Sequence, residues 1–351
     1  MNVISRDASN YAYVNARVKS RRAVLFDEDD YRTLMRMGTS EIARFLEESE
    51  YEAEVNELGS RFSGVDLVEY ALNRNLAKHF DDLLQWSQGT LRDLLVRYFR
   101  KFDAWNVKTA LRGVYADTEP AEIEQDFIRA GELDDDTLSL LADADEIRTV
   151  VDLLSDTLFG PALDDVYGEY EETNSLVPLE NAVDLAFYDR LLKQVRSTSA
   201  GTREFVKFLQ ADIDFRNVRN AVRLARSGAD LDPAEYYIEG GRLFEPTELD
   251  ALADNWDELV ARLRDSHYGN ELADELDELD EAGSLIAFEH ALDAALLSYS
   301  EHLSHVFPLS VCPVLGYVLA KEREVDNVRA IARGREVGLT EEEIEEELVI
   351  L

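Results

Sequence analysis

One short polar motif occurs three times in this chain of 351 residues. It reads acid, two variable residues, Asn, Val and a basic residue, and the later copies start 111 and 110 residues after the one before. Two further patterns recur in the same order at nearly the same spacing. Because three unlike patterns share one period, we predict a unit of ~110 residues present three times. The copies of this polar motif occupy residues 103–108, 214–219 and 324–329.

The second pattern is a helical stripe. It reads Glu-x-Ala-(Leu or Val)-(Asn or Asp), and apolar residues recur around it every three or four positions, which predicts one buried helix face. The third pattern, Leu-x-x-(Ser or Thr)-x-(Tyr or Phe), precedes the stripe each time. Copies of the stripe begin at Glu69, Glu180 and Glu289, and copies of the third pattern begin at Leu46, Leu154 and Leu263.

The period predicts the size of each copy. It exceeds the ~30–45 residues of two-helix repeats, so we expect three similar small domains, 1–115, 116–229 and 230–351. Glycines followed by acidic, Pro-containing stretches mark the joints, at 113–120 and 228–233. Strand signals are weak, so the predicted fold class is all-α with several helices per domain. Residues 131–133 and 241–243 correspond, and we interpret each as a turn between helices.

The charge of the chain narrows the classes of partner. Asp and Glu number 74 against 36 Lys and Arg, a net charge of −38 at pH 7, and only seven of the cations are Lys. Such a field repels nucleic acid and anionic lipid head groups, so nucleic acid is not an expected partner. At ~1 M salt the Debye length falls to ~3 Å, which favours a salt-rich cytoplasm over the alternative of a merely acidic protein.

The patterns that suggest chemistry lack the required spacing. The acidic clusters at 27–30, 134–136 and 164–165 do not match the Asp-Asp-x-x-Asp of metal-dependent prenyl-transferring enzymes. His302 and His305 lack the His-Glu-x-x-His pattern of zinc proteases, and no phosphate-binding glycine motif is present. Cys312 lies among apolar residues. We therefore predict no catalytic residue, no metal site and no cofactor.

The polar motif has two interpretations. It is either a contact surface for a partner or a helix start held by side-chain hydrogen bonds and ion pairs. An Arg follows each of its asparagines by six positions. The candidate partner-facing residues are accordingly Asn106, Asn217, Asn327, Arg112, Arg223 and Arg333. A separate feature is the longest apolar stretch, Val306–Ala320, which is too short to span a membrane and contains Pro308 and Pro313.

Both ends of the chain resemble a known family. The segment from Tyr11 to Ser20, YAYVNARVKS, is similar to the opening helix of the C subunits of archaeal A-type ATP synthases and the d subunits of V-type ATPases. The segment from Lys321 to Gly334, KEREVDNVRAIARG, with the acidic tail after it, resembles that family's terminus. The resemblance covers essentially the whole chain, since the family is also a threefold repeat of helical units. The net charge departs from the family and points to a haloarchaeal member.

The resemblance implies an architecture and a role. Three helical domains would pack around a pseudo-threefold axis as a funnel, with the narrow face on the membrane proteolipid ring and the other side receiving the D- and F-type subunits of the central stalk. One copy per complex would lie peripherally at the cytoplasmic face of the membrane. It would be a non-catalytic rotor part in proton- or sodium-driven ATP synthesis or hydrolysis. The repeats alone leave an alternative, a soluble helical scaffold or adaptor.

Overall fold

A computed structural model describes residues 9–196, 202–227, 233–252, 255–270, 272–273, 276–277 and 284–349. All regular secondary structure in these residues is helical, and no strand occurs among them, so the prediction of an all-α class is confirmed. The predicted joint at 228–233 lies, apart from Pro233, outside the described residues.

The helices are numbered along the chain. In the first part they are α1 Tyr11–Arg22, α2 Glu28–Met35, α3 Thr39–Glu47, α4 Glu52–Leu58, α5 Gly64–Trp86, α6 Gly89–Tyr115, α7 Pro120–Asp126, α8 Asp135–Ala142, α9 Ile147–Leu153, α10 Gly160–Thr173 and α11 Val177–Arg196. They continue with α12 Arg203–Ser227, a 3₁₀ turn Pro233–Tyr236, α13 Pro246–Leu252, α14 Trp256–Arg264, α15 Leu285–Val306, α16 Cys312–Val337 and α17 Glu341–Glu345.

The chain divides into two compact units. The first comprises residues 1–10, 51–62 and 69–198. In it α6 packs against α11 and against the short helices α7, α8 and α9, and α10 packs against α11. Three aromatic rings form part of the core, with the Phe80 ring centroid 5.0 Å from that of Phe99 and 5.1 Å from that of Phe102. The long helix α6 therefore organises this unit.

The second compact unit comprises residues 11–50, 63–68 and 199–351. In it α15 packs against α12 and α16, and α16 also contacts α1, α2, α3 and α17. Val14 and Val18, four residues apart on α1, are the buried positions of that helix. The long helix α16 is therefore the centre of this unit.

Several side chains that stood out in the sequence begin or end helices. Asp27 caps α2 by accepting a hydrogen bond from the N–H of Asp30 at 3.0 Å, and Asp134 caps α8 by accepting one from Thr137 at 2.8 Å. These acids therefore satisfy free N–H groups at helix starts. The third pattern ends α3, α9 and α14, where its hydroxyl donates to the carbonyl three residues earlier. These bonds are Ser49 to Leu46 at 2.7 Å, Thr157 to Leu154 at 2.7 Å and Ser266 to Leu263 at 2.6 Å.

The polar motif lies inside three long helices, α6, α12 and α16. The interpretation of it as a helix start is therefore wrong in position, because α6 begins at Gly89, fourteen residues before the motif's acid at Asp103. Gly113, which the sequence assigned to a joint, is still helical. A Cβ there would lie 2.5 Å from two carbons of the Ile123 side chain, so close packing of α7 accounts for the glycine.

Candidate functional site

Each copy of the polar motif holds a stretch of backbone through its asparagine. The Asn106 amide donates to the carbonyl of Ile128 at 2.9 Å, and the N–H of Ile128 donates to Asn106 Oδ1 at 2.8 Å. An Asn amide offers one acceptor and donors side by side, so it can satisfy both polar groups of one residue. All three asparagines are buried. The same two bonds, at 2.8 to 3.1 Å, join Asn217 to Ile238 and Asn327 to Val349.

The acid of the motif accepts hydrogen bonds from successive backbone amides. Asp103 Oδ1 accepts from the N–H groups of residues 132 and 133, both at 2.9 Å. Asp214 Oδ1 accepts from those of residues 242 and 243 at 2.7 and 3.0 Å. The two turns that the sequence matched to each other are therefore bound in the same way.

A glycine precedes the bound amides in both cases. A Cβ on Gly131 would lie 2.0 Å from Asp103 Oδ1, and one on Gly241 would lie 2.2 Å from Asp214 Oδ1. Only a residue without a side chain lets the carboxylate approach this closely. The sequence indicated a turn at these glycines but not the carboxylate that requires them.

The third acid has a different partner. Glu324 Oε2 accepts from the N–H of Phe26 at 2.6 Å, and Glu324 Oε1 accepts from Lys321 Nζ at 2.7 Å. Both charged side chains are buried. Sequence reasoning missed Phe26, because it lies 298 residues before Glu324 and belongs to no repeated pattern. Leu25, not glycine, precedes Phe26, and the acid of this third copy is Glu in place of Asp.

Burial governs the protonation of the two aspartates. It raises the pKa of Asp103 to about 6, against the opposing effect of the two backbone N–H groups. It also raises the pKa of Asp214, opposed by a 2.7 Å hydrogen bond from the Tyr268 hydroxyl and by the backbone bonds. The pKa of Tyr268 is raised in turn by its own burial and by the charge of Asp214. Both carboxyl groups therefore bind partners inside the folded chain.

Ion pairs connect the polar motif to the helical stripe that follows it in the chain. In the first compact unit, Lys108 Nζ lies 2.7 Å from Asp184 Oδ1, and Arg112 donates two bonds to Glu180 at 2.6 and 2.7 Å. These pairs join α6 to α11. The corresponding pairs in the second compact unit join α12 to α15, and they are Arg219 with Asp293 and Arg223 with Glu289.

The six predicted partner-facing residues fall into two groups. The three asparagines are buried, with both polar atoms used by the backbone of this chain. The arginines are more open: the side chains of Arg112 and Arg223 are 54% and 55% exposed, and Arg333 is exposed on α16. Arg112 and Arg223 therefore combine an internal ion pair with an accessible guanidinium edge.

Two further residues that the sequence singled out, Asp164 and Cys312, have structural explanations. Within the described ranges, no three His, Cys, Asp or Glu side chains converge as a metal site would require. Asp164 pairs with Arg148 at 2.9 Å. Cys312 is buried, and burial raises the pKa of its thiol to about 11, which leaves it protonated and unreactive at neutral pH.

A sequence profile for the family described as "ATP synthase (C/AC39) subunit" matches residues 14–347. The chain belongs to this family. The matched range contains all three copies of the polar motif and the ion-paired helices that they join. The resemblance of the two chain ends is thereby confirmed as a family relationship.

Members of the C/AC39 family resemble the chain along nearly its whole length. The relative from Haloferax volcanii is 62% identical over 343 residues, covering 98% of both chains. The relative from Halobacterium salinarum is 57% identical over 346 residues, again 98% of both, and the one from Methanosarcina mazei is 35% identical over 350 residues, 99% of this chain and 94% of its own. All three are named as the C subunit of an A-type ATP synthase, so the chain is an ATP synthase subunit.

The relatives also bear on two other predictions. Their names describe one part of a complex, in agreement with the prediction of a chain that is not itself an enzyme. Most of them come from haloarchaea, as the acidic, Lys-poor composition predicted. In the part of the chain that the structure describes, no helix of this C/AC39 family member has the length and apolar character needed to cross a bilayer.

Proposed function

We propose that this chain is the non-catalytic rotor subunit that joins the central stalk of an A-type ATP synthase to the membrane proteolipid ring. The observation that carries the proposal is the full-length match, at 62% identity, to a relative named as the C subunit of an A-type ATP synthase. Its partners would be the ring subunits and the D- and F-type stalk subunits, with one copy per complex at the cytoplasmic face of the membrane. It would carry torque during proton- or sodium-driven ATP synthesis or hydrolysis.

The proposed architecture is three similar helical domains, 1–115, 116–229 and 230–351, around a pseudo-threefold axis in a funnel. The recurring Asn-to-backbone bond pair supports it, since the same contact forms at Asn106, Asn217 and Asn327 with a partner 21 or 22 residues away. The matching ion pairs of α6 with α11 and of α12 with α15 support it as well.

A rotor coupling has to be stiff. Close-packed helices transmit strain better than loops, because their side chains leave little free volume to absorb it. The buried asparagines and acids add fixed hydrogen bonds between long helices and the segments after or before them. A coupling must also grip each neighbour over a stable interface, typically ~1,200–2,000 Å² in total.

The exposed guanidinium edges of Arg112, Arg223 and Arg333 are our proposed contacts with a neighbouring protein of the complex. Arg112 and Arg223 each retain donors for an acidic or carbonyl-bearing partner, because guanidinium has five N–H groups and their bidentate carboxylates use two. The buried asparagines would act indirectly, by holding the backbone on which these surfaces depend.

The role is tested by affinity purification of the tagged chain from membranes of its source organism at molar KCl. Ring and stalk subunits should co-purify, and the chain should stay with washed membranes until the complex is stripped. Recovery in the soluble fraction, with unrelated proteins and no ring or stalk subunit, would instead identify the scaffold or adaptor alternative.

A charge exchange tests the arginine contact separately from the internal ion pair. Arg112→Glu removes the pair with Glu180, and the double change Arg112→Glu with Glu180→Arg rebuilds it in reverse. If the arginine also contacts a partner, the double variant should regain its melting temperature and still assemble poorly. Full recovery of both stability and assembly would restrict Arg112 to an internal role.

A further inference from the structure

The loop between α15 and α16 exposes apolar side chains that packing does not use. It belongs to the apolar stretch Val306–Ala320, and most of residues 311–318 are buried in the second compact unit. The start of the stretch is different, because Leu309 is 70% exposed and Val306 is 51% exposed. Core formation therefore explains the second part of the stretch and leaves the exposure of Val306 and Leu309 without an explanation.

Hydrogen bonds hold this loop in shape. The Asn15 amide on α1 donates to the carbonyl of Pro308 at 2.9 Å and to that of Ser310 at 3.1 Å. The Ser310 hydroxyl donates to the carbonyl of Phe307 at 2.7 Å, and Lys207 Nζ lies 4.8 Å from the centroid of the Phe307 ring. The loop is thus braced against α1 and α12, while Val306 and Leu309 stay exposed.

An open groove lies beside the loop. It has a volume of about 340 Å³ and is lined by Tyr11, Glu204 and residues 307–310. Tyr13, two residues further along α1, is half exposed, and the guanidinium of Arg17 lies 4.8 Å from the centroid of its ring. The groove therefore lies beside one flank of α1 at Tyr11, while Tyr13 and Arg17 occupy another part of the same helix.

The charge of α1 is opposite to that of the whole chain. No acid occurs between Asp7 and Asp27, although the net charge of the chain is −38. Within that interval α1 carries four cations, of which Arg17 and Lys19 are exposed. We call α1 together with residues 306–310 the α1–loop surface. Its exposed cations are Arg17 and Lys19, its Arg22 is paired with Glu301 of α15, and Glu204 is the acid that lines its groove.

We infer that the α1–loop surface lies on the anionic head-group layer of a lipid membrane. Leu309 and Val306 would enter the acyl boundary, the tyrosines would sit at the head groups, and Arg17 and Lys19 would face lipid phosphates. An acidic protein segment would match the cations but would not require protruding aliphatic side chains. The inference rests on the proposed function only in bringing this face close to a bilayer.

The net negative charge does not oppose such a contact at high salt. At ~1 M salt the screening length is ~3 Å, so a lipid phosphate responds to the cations next to it and not to distant carboxylates. At low salt, the net negative charge of the whole chain should repel anionic head groups, as the composition predicts. At high salt, the cations of α1 next to the head groups should decide whether the surface docks.

Vesicle flotation of the full chain tests the inference. In molar KCl, the protein should float with phosphatidylglycerol vesicles and much less with phosphatidylcholine vesicles. Leu309→Glu should lower the partition coefficient about tenfold or more, since burying one Leu accounts for at least that factor. The matched control is Val337→Glu, because Val337 is also exposed, at 73%, at the end of α16 and outside the surface. It should bind as the wild type does.

Circular dichroism and assembly complete the test. Both variants should keep wild-type helix content, and Arg17→Gln with Lys19→Gln should reduce the preference for phosphatidylglycerol. Wild-type protein that does not bind vesicles, or equal losses in the two Glu variants, would overturn the lipid contact. If Leu309→Glu abolishes co-purification with a delipidated complex while wild-type protein ignores vesicles, the loop contacts protein and the inference is overturned, whereas the proposed function stands.

Discussion

At the acids of the polar motif, side-chain length and the residue opposite change together. Asp103 and Asp214 each face a glycine, and Glu324, one methylene longer, faces Leu25–Phe26. In all three cases a carboxylate oxygen reaches a backbone N–H. At the two aspartates the opposing glycine leaves room for the carboxylate, which a Cβ would overlap.

This match predicts a stability effect at Gly131. We expect Gly131→Ala to lower the free energy of unfolding by about 1–3 kcal/mol, because the new Cβ would displace Asp103 and leave its N–H partners without an acceptor. Urea unfolding followed by circular dichroism measures the effect. Gly168→Ala is the control: it is exposed in α10 with no atom within 4 Å of the added Cβ, so it should stabilise by about 0.5–1 kcal/mol. Equal effects at both glycines would contradict the match.

Asp103 also predicts a pH dependence. Its pKa is about 6 in the folded chain against 3.8 for the ordinary side chain, so between these values the folded state binds the extra proton. The stabilising contribution is complete below pH 3.8 and is lost as the pH rises through 6, a change of about 3 kcal/mol. Unfolding free energies of wild type and Asp103→Asn, compared from pH 4 to 7, should diverge by most of that amount. Parallel profiles would show that burial does not control this carboxyl group.

At the scale of the helices, the polar motif and the helical stripe are linked by ion pairs. Lys108 and Arg112 stand four residues apart on α6, as Glu180 and Asp184 do on α11. They pair in reverse order, so the two helices run antiparallel at this contact. Residues four apart lie on one helical face, so the spacing presents two charges to the neighbour. The polar motif and the helical stripe are thus the two sides of one helix contact.

Asp293 extends this contact to a third helix. It lies on α15 between Arg219 of α12 and Arg323 of α16, with the Arg323 guanidinium at 2.8 Å. Burial on its own would raise the pKa of Asp293, but the two guanidinium groups outweigh it and lower the pKa below 3.8. The charged carboxylate therefore stabilises the packing of three helices.

We expect Asp293→Asn to lower the free energy of unfolding by about 3 kcal/mol, because it leaves two largely buried arginines without their carboxylate. The loss should be present above pH 3.8 and should disappear as the pH falls and the wild-type carboxyl group is protonated. Asp189→Asn, which breaks the exposed pair with Lys193 on α11, should cost less than about 0.5 kcal/mol. Comparable losses from both substitutions would refute the proposed difference between these pairs.

At the scale of the whole molecule, charge sets the conditions for folding. A net charge of −38 on 351 residues repels itself in dilute buffer, and the internal pairs of Asp and Glu with Arg and Lys neutralise only part of it. Added salt shortens the range of the remaining repulsion. The relatives from Haloferax volcanii and Halobacterium salinarum belong to the same family and come from salt-loving organisms.

The melting temperature should therefore rise steeply as KCl increases from about 0.1 M to a few molar, with most of the electrostatic part complete by ~1 M, where the screening length is ~3 Å. Differential scanning calorimetry measures it. NaCl and tetramethylammonium chloride at equal ionic strength separate screening from the binding of a particular cation. A melting temperature that does not change with any of the three salts would refute the high-salt interpretation.

The sequence alone was sufficient for the helical class, the recurring patterns and the family. Apolar spacing reports which face of a local helix is buried, and repeated motifs survive in the order of the residues, so neither requires knowledge of the chain path. Arg112, Arg223 and Arg333 were recognisable as a repeated feature for the same reason, but the internal ion pairs of Arg112 and Arg223 were not predicted. Their predicted contact with a partner stays a prediction.

Three features depended on how the chain folds back on itself. The burial of Asn106, Asn217 and Asn327, the need for Gly131 and Gly241, and the choice of Phe26 by Glu324 each involve a partner distant along the chain. A polar side chain needs a hydrogen-bond partner when it is buried, but its residue type does not indicate which backbone group that partner will be. The packing of the folded chain decides it. It brings the backbone nitrogen of Phe26 to 2.6 Å from Glu324 Oε2, although the two residues are 298 positions apart.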